Sequence, residues 1–209
     1  MKVLITDDHP IVRQGLKQLL RETFDSIIVD EAANGAEALD KINNEQYDIV
    51  LLDIAMPGMN GLEVLKEIRK FNKTLPVLII SIYPEDQYAM RCLKAGASGY
   101  LTKDTASDEL TLAVERILSG KKYVSPTLAD KLASHLNKGA PKLPHELLSD
   151  REDQVMRYIA SGKTATEIAA ELNLSVKTIN TYRNRILKKM QLKNSAELIR
   201  YAVQNQLLN

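Results

Sequence analysis

The stretch Ile49-Val-Leu-Leu-Asp53 narrows the possible folds more than any other. Four apolar residues run into a single acid, and Pro57-Gly58 follow closely. A strand that is apolar at every position, not at alternate ones, is covered on both faces, as in a parallel sheet. Such a strand delivers its last residue to the carboxyl edge, where ligands bind in open α/β folds. One acid at a strand end is unremarkable, so the weight falls on the other runs.

Val3-Leu-Ile5 ends in Thr6, Asp7 and Asp8. Ile27-Ile-Val29 reads as a second strand, Val77-Leu-Ile-Ile80 ends at Ser81, and Gly99-Tyr-Leu101 leads into Thr102 and Lys103. Helical patterns fill the gaps. Pro10 opens a helix carrying Val12, Leu16, Leu19 and Leu20, since proline suits the first helical position. Asn34 to Glu37 and Asn60 to Glu63 have the form of capping boxes. A helix over about Asp86 to Ala95 stops at Gly96, and another from Ser107 to Leu118 stops at Gly120. Strands alternating with helices predict an α/β, doubly wound, five-stranded parallel sheet over residues 1–120.

In such a sheet every strand ends on the same edge, so Asp7, Asp8, Asp53, Ser81 and Lys103 converge. Clustered carboxylates raise one another's proton affinity, and a hard dication relieves that repulsion. Mg²⁺ favours one or two carboxylates together with waters and phosphate oxygens. A carboxylate can accept a phosphoryl group as a nucleophile. Lys103 supplies a compact positive charge and Ser81 a hydroxyl donor.

Residues 121–147 read as a linker with a short helix. Ser125-Pro126 starts that helix, which runs to about Leu136, and Asn137 to Pro144 holds two prolines and a glycine. From 148 to 209 the pattern is helical throughout, predicting a small all-α domain of four helices. Capping boxes stand at Ser149–Glu152 and Thr164–Glu167, with Ser175 and Asn194 as further caps. Two short helices around the Asn173-Leu174 turn suggest a helix-turn-helix. From Ser175 to Lys193 there are six Lys/Arg and no acids. A basic helix of one sign is the footprint of phosphate contact. Asn180, Thr181 and Asn184 share its face and are candidates for base edges.

Charge divides the same way. Residues 1–120 carry 13 Lys/Arg and 19 Asp/Glu, a balance of −6, and residues 121–209 carry 15 and 8, a balance of +7. An acidic module is joined to one suited to a polyanion. Cys92 is the sole cysteine, which excludes an intrachain disulfide and fits a reducing cytoplasm. The N-terminus turns acidic at Asp7, unlike a signal peptide, and no apolar run reaches membrane-spanning length.

The acid pair Asp7-Asp8, the segment Leu52-Asp-Ile-Ala-Met-Pro-Gly58, Ser81, and the run Ala95 to Lys103 resemble the receiver domain of a two-component response regulator, with the flavodoxin-like strand order 2-1-3-4-5. The resemblance implies that Asp53 accepts phosphate from a sensor histidine kinase. Asp8, Asp53 and the backbone carbonyl of Ala55 would ligate Mg²⁺, with Asp7 acting through water. Lys103 would bind the phosphoryl group, and Ser81 and Tyr100 would be the switch pair. Ala55 offers no side chain to position or block an attacking water.

Leu148-Ser-Asp-Arg-Glu152, Thr166-Glu-Ile-Ala169 and Ser175-Val-Lys-Thr-Ile179 resemble the LuxR-type helix-turn-helix. By that likeness Asn180, Thr181 and Asn184 face bases, while Lys177, Thr178, Arg183 and Lys188 help on the DNA backbone. Tyr182 to Arg185 is similar to the branch that includes virulence and capsule regulators. Together the two halves resemble a NarL/FixJ-type regulator that dimerises when phosphorylated and controls promoters on double-stranded DNA.

Two other function classes compete. A Mg²⁺-dependent phosphatase could use Asp53 as nucleophile, but the haloacid-dehalogenase type needs a second acid where Ala55 stands, and no phosphate-cradling glycine loop appears. A regulator acting through protein or RNA contacts would not need the single-sign helix. Among the remaining residues, His9 has no necessary role beside Mg²⁺-type carboxylates. His135 and His145 are expected in solvent, Cys92 in helix packing, and Met56 and Met59 in loop packing.

Overall fold

The computed structural model describes residues 1–130, 143–205 and 207. It divides into two compact units, Met1–Lys138 and Gly139–Asn209.

In the first unit, strands β1 (Lys2–Thr6), β2 (Ile28–Ala32), β3 (Ile49–Leu52), β4 (Val77–Ser81) and β5 (Gly99–Thr102) alternate with helices α1 (Pro10–Thr23), α2 (Gly35–Asn44), α3 (Gly61–Phe71), α4 (Glu85–Lys94) and α5 (Ala106–Leu118). All strand pairs are parallel, in the order β2-β1-β3-β4-β5. Every residue of β3 and β4 is buried. Leu4, Val50, Leu52, Val77 and Ile79 face one core with Ile42, Leu65 and Tyr88. Val3, Ile5, Ile49, Leu51, Leu78 and Ile80 face another with Leu16, Leu20 and Val114. Each such side chain contributes about 1.5–3 kcal/mol on burial, so the uninterrupted apolar runs are what a two-sided sheet requires.

β2 departs from the expectation of Ile27 to Val29. It starts one residue later and continues through Asp30 and Glu31 to Ala32. As an edge strand it tolerates acids, because they reach partners at its margin: Asp30 accepts from the Tyr47 hydroxyl at 2.9 Å, and Glu31 pairs with Arg13 and Lys17. At α2 the Asn34 side chain accepts from the Glu37 N–H, but the Glu37 carboxylate reaches back to the N–H of Ala33 and not to that of Asn34.

The register aligns the strand ends. Asp7 N–H donates to the Ala32 carbonyl, Asp53 N–H to that of Thr6, and Lys103 N–H to that of Ser81, at 3.2, 2.9 and 2.8 Å. A complete capping box at Asn60–Glu63 starts α3 directly after the β3 loop. The approach is close enough that a Cβ on Gly61 would sit 1.9 Å from the Asp53 carbonyl oxygen.

Beyond α5, Gly120 turns the chain at φ +82°. Tyr123 then pairs parallel with Gly99 at the free edge of β5, its N–H donating to the Ser98 carbonyl at 2.9 Å and its hydroxyl to Glu109 at 2.7 Å. The Ser125 hydroxyl donates to Glu85 at 2.5 Å and accepts from the Leu128 N–H. Leu128 is buried in the core that holds Tyr88 and Tyr100. Residues 126–130 are helical and form the described part of α6; the rest of the helix expected to Leu136, and most of the proline-rich stretch, lie outside the described residues.

The second unit opens with a 3₁₀ turn, Pro144–Leu147, followed by α7 (Asp150–Ala160), α8 (Ala165–Glu171), α9 (Val176–Met190) and α10 (Ser195–Gln204). Both expected capping boxes, at Ser149 and Thr164, are complete, and Ser175 caps α9 by accepting from the Thr178 N–H. Asn173, at φ +50°, makes the turn between α8 and α9. Val155, Met156, Ile168, Ile179, Ile186 and Leu198 form the core. His145 is not solvated as expected: its Nδ1 lies 2.9 Å from the Tyr201 hydroxyl, because the 3₁₀ turn folds back towards α10. His135 lies outside the described residues. Cys92 and Met56 are buried and Met59 packs against the same core, as expected. Among the described residues no helix is long and apolar enough to cross a membrane.

Candidate functional site

The carboxyl edge of the sheet brings four of the predicted residues into contact. Lys103 Nζ lies 2.6 Å from Asp7 Oδ2 and 3.0 Å from Asp53 Oδ2. Ligand atoms of Asp7, Asp8, His9 and Asp53 all lie within 4.8 Å of one another. Asp7 and Asp53 are buried, Asp8 half-buried. Arg13 fixes the base of the pair by donating to the Asp7 carbonyl at 2.7 Å. Burial pushes the Asp53 carboxyl above its ordinary pKa; the Lys103 ammonium opposes this and the Asp7 charge adds to it. Burial alone would lower Lys103, but Asp53 and Asp7 override it and hold the ammonium above its usual value.

Two carboxylate oxygens are left over. Asp53 Oδ1 and Asp8 Oδ1 are shut off from solvent and accept no well-aligned hydrogen bond, although the His9 ring nitrogen lies 2.9 Å from Asp8 Oδ1. Buried acceptors without partners are costly, and three carboxylates here face one lysine. Three carboxylates with unused lone pairs and excess negative charge can hold a metal dication.

Ser81 and Tyr100 stand on the same edge but bond elsewhere. Ser81 Oγ accepts from the Tyr83 N–H at 3.2 Å, and the Tyr100 hydroxyl donates to the Tyr83 carbonyl at 2.7 Å. Both switch candidates are therefore tied to the backbone of one residue. The Tyr83 ring in turn stacks on Tyr88 of α4, centroids 4.6 Å apart. Tyr100 lies wholly inside, where burial raises the phenol's pKa.

In the second unit α9 buries Ile179, Ile186 and Met190. At 3.6 residues per turn, the opposite side is the stripe Lys177, Thr181, Asn184 and Lys188. All four are exposed, as are Asn180, Arg183 and Arg185, while Thr178 is half-buried. The Asn180 and Asn184 side-chain amides make no hydrogen bonds among the described residues, whereas the Thr181 hydroxyl donates to the Lys177 carbonyl at 2.9 Å. Sequence reasoning missed what braces this helix. Arg183 Nε donates to Ser195 Oγ at 2.8 Å, tying α9 to α10, and Lys189 Nζ donates to Glu152 Oε2 at 2.6 Å, tying it to α7. Lys189 is thus committed inside the unit. The capping-box pattern at Glu152 was visible in the sequence, but its second partner is 37 residues away.

Comparison with known proteins decides the family. The model for the response regulator receiver domain matches residues 3–115, and that for bacterial regulatory proteins of the luxR family matches residues 146–202. The chain belongs to the NarL/FixJ-type response regulators. Response regulator UvrY of Escherichia coli K12 is 33% identical over 210 residues, covering 100% of this chain and 96% of UvrY. Response regulator GacA of Pseudomonas syringae pv. syringae is 36% identical over 208 residues, covering 98% and 96%. Among solved structures, RcsB from Salmonella enterica serovar Typhimurium, bound to the promoter rprA in the presence of the phosphomimetic BeF₃⁻, matches with TM-score 0.64 at 25% identity, over 96% of this chain and 98% of that one. A LuxR-family regulator from Aurantimonas matches with TM-score 0.60 at 34% identity, over 66% and 98%. This response regulator is accordingly a regulatory protein and not a classical enzyme.

Proposed function

We propose that this regulator is switched by phosphorylation of Asp53 and reads promoter DNA through α9. The observation that carries the reading is the division of labour at the Asp53 carboxylate: Lys103 holds Oδ2, and Oδ1 is buried and unpaired. An oxygen in that condition is a nucleophile in waiting. The donor is the phosphohistidine of a sensor histidine kinase, or a small acyl phosphate. Oδ1 attacks phosphorus, the P–N or P–O bond to the leaving group breaks, and the leaving group carries off the electron pair. Later hydrolysis restores the carboxylate, so the protein's chemistry is confined to its own phosphorylation and dephosphorylation.

Asp8, Asp53 and the Ala55 carbonyl would hold Mg²⁺, with Asp7 assisting through water. The ion would supply positive charge to the phosphoryl oxygens in transfer. Lys103, already between Asp7 and Asp53, moves its ammonium onto a phosphoryl oxygen. The added charge and acceptor oxygens draw the Ser81 hydroxyl inward. Ser81 then gives up the Tyr83 N–H, and the bond from Tyr100 to the same residue is disturbed with it.

The output is a homodimer on double-stranded promoter sites, as helix-turn-helix readers require, working in the cytoplasm. Asn180, Thr181 and Asn184 read bases; Lys177, Thr178, Arg183 and Lys188 contact the backbone. The test is acetyl phosphate with Mg²⁺, followed by phosphoprotein electrophoresis and DNA binding by the same sample. Wild type gains one acid-labile phosphate and binds DNA more tightly. Unchanged DNA affinity after full phosphorylation would sink the switch.

A further inference from the structure

The reader unit holds a cleft that DNA reading leaves unexplained. The end of α7, the loop after it, and helices α8, α9 and α10 enclose about 290 Å³. Its walls are aliphatic: Ile159, Ile168, Ile179 and Ile199. The first three are buried, but Ile199 on α10 is 37% exposed, so one apolar wall stays open to water. Lys163, Arg183 and Ser195 complete the lining, and no carboxylate belongs to it.

The two cations differ. Lys163 is committed: its ammonium pairs with Glu171 and stands 4.7 Å from the centroid of the Tyr158 ring. Arg183 is not. Its Nε is held by Ser195 Oγ at 2.8 Å, which fixes the guanidinium at the edge of the cleft, and neither Nη makes a hydrogen bond or ion pair among the described residues. Those two Nη groups form the end-on fork that matches both oxygens of a carboxylate. Aliphatic walls, a fixed fork at the rim and no lining acid suit an amphiphilic anion. At about 30 Å³ for each water molecule the volume has room for roughly ten heavy atoms, and it lies at the low end of ligand pockets, about 300–1,000 Å³.

We propose that this cleft binds a short aliphatic carboxylate, with its chain against the four isoleucines and its carboxylate on the Arg183 fork. No aromatic side chain lines the cleft, so nothing there stacks a nucleobase or other ring. The ligand site stands on the cleft alone; its effect on DNA rests on the α9 reading, in which Arg183 contacts the DNA backbone. A guanidinium engaged by a carboxylate no longer neutralises a phosphate. The ligand and DNA therefore weaken each other, by the same factor in both directions. The reader thereby gains an input of its own, separate from Asp53.

Sodium octanoate, which matches that size, is the probe, and 1-octanol is its uncharged control. In the full-length chain labelled at its isoleucine methyls, octanoate should shift the NMR signals of Ile159, Ile168, Ile179 and Ile199 to saturation, and octanol should bind at least about tenfold more weakly. Arg183→Gln should weaken octanoate by about tenfold while moving octanol less than about threefold, which also reports an intact fold. Ile199→Ser should weaken both. On a mixed-sequence duplex, saturating octanoate should lower the affinity and reduce the log–log salt slope by roughly 1. Equal binding of octanol and octanoate, or octanoate binding unchanged in Arg183→Gln, overturns the carboxylate site. Isoleucine shifts that follow protein concentration and not octanoate overturn it too, by showing that a second copy covers the cleft. Octanoate binding with unchanged DNA affinity overturns the coupling. Failure of the parent chain to bind any duplex would sink the α9 reading, and the octanoate titration would still decide the cleft.

Discussion

The two units use charge in opposite ways. In the receiver, Asp7, Asp53 and Lys103 are drawn together away from water, and the ionisation of Asp53 and of Lys103 is shifted by burial and by the charges beside them. In the reader, Lys177, Arg183, Arg185 and Lys188 are spread over an exposed helix, each open to water. Buried charges interact strongly and are screened little, whereas exposed ones are weak singly and act by number. The receiver should therefore fail at a single atom, and the reader should degrade by degrees.

The sharpest way to break that contrast is at Asp53. Asp53→Asn should abolish Mg²⁺-dependent phosphate incorporation from acetyl phosphate, measured by phosphoprotein electrophoresis, while basal DNA binding persists. Residual labelling near the wild-type level would move the nucleophile elsewhere. On the reader side, salt should matter most. If six or more phosphates are contacted, duplex affinity should fall by about 10³-fold or more between 50 and 200 mM salt, and Lys177→Ala should reduce the log–log slope by roughly 1. A flat salt response would show that α9 does not act by number.

Packing supplies a third comparison. Gly61→Ala drives a Cβ into the Asp53 carbonyl oxygen, and urea unfolding should show a loss of about 3 kcal/mol. A matching exchange at Gly15, where an added Cβ meets nothing within 4 Å, should stabilise α1 by about 0.5–1 kcal/mol. The smallest effect is set by pH. The carboxyl of Asp53 binds its proton more tightly in the folded chain than in the unfolded one. The folded state therefore holds more protons as pH rises from the ordinary carboxylate value through the raised one, and stability declines over that window. Above it the charged carboxylate is a standing burden. Asp53→Asn should melt higher than wild type at pH 7 without divalent ions, by roughly 2–4 °C per kcal/mol relieved, and the gap should close below about pH 4. An equal gap at pH 7 and pH 4 would show that Lys103 already neutralises the burial cost.

The receiver pocket was legible because buried parallel strands have to be apolar throughout, so Asp7, Asp53, Ser81 and Lys103 stood out as the places where those runs stop. β2 was harder. As an edge strand it keeps Asp30 and Glu31, and apolar periodicity loses it there. In the reader, local capping signals at Ser149, Thr164 and Ser175 located the helices, since each is a contact within three residues. The braces Glu152–Lys189 and Arg183–Ser195 could not be read the same way, because they pair helices whose relative position only tertiary packing sets.

The short pairing of Tyr123 with Gly99 has a practical consequence for anyone taking the molecule apart. A cut after Gly120 looks natural, at a glycine that ends a helix. It would remove the strand-edge partner of β5 and the Leu128 side chain that fills the core beside Tyr88 and Tyr100. Chimeras that exchange one reader for another should therefore carry the first partner through residue 130 and place their junction in the stretch beyond. A graft made ten residues earlier would alter the sensing half while appearing to change only the output.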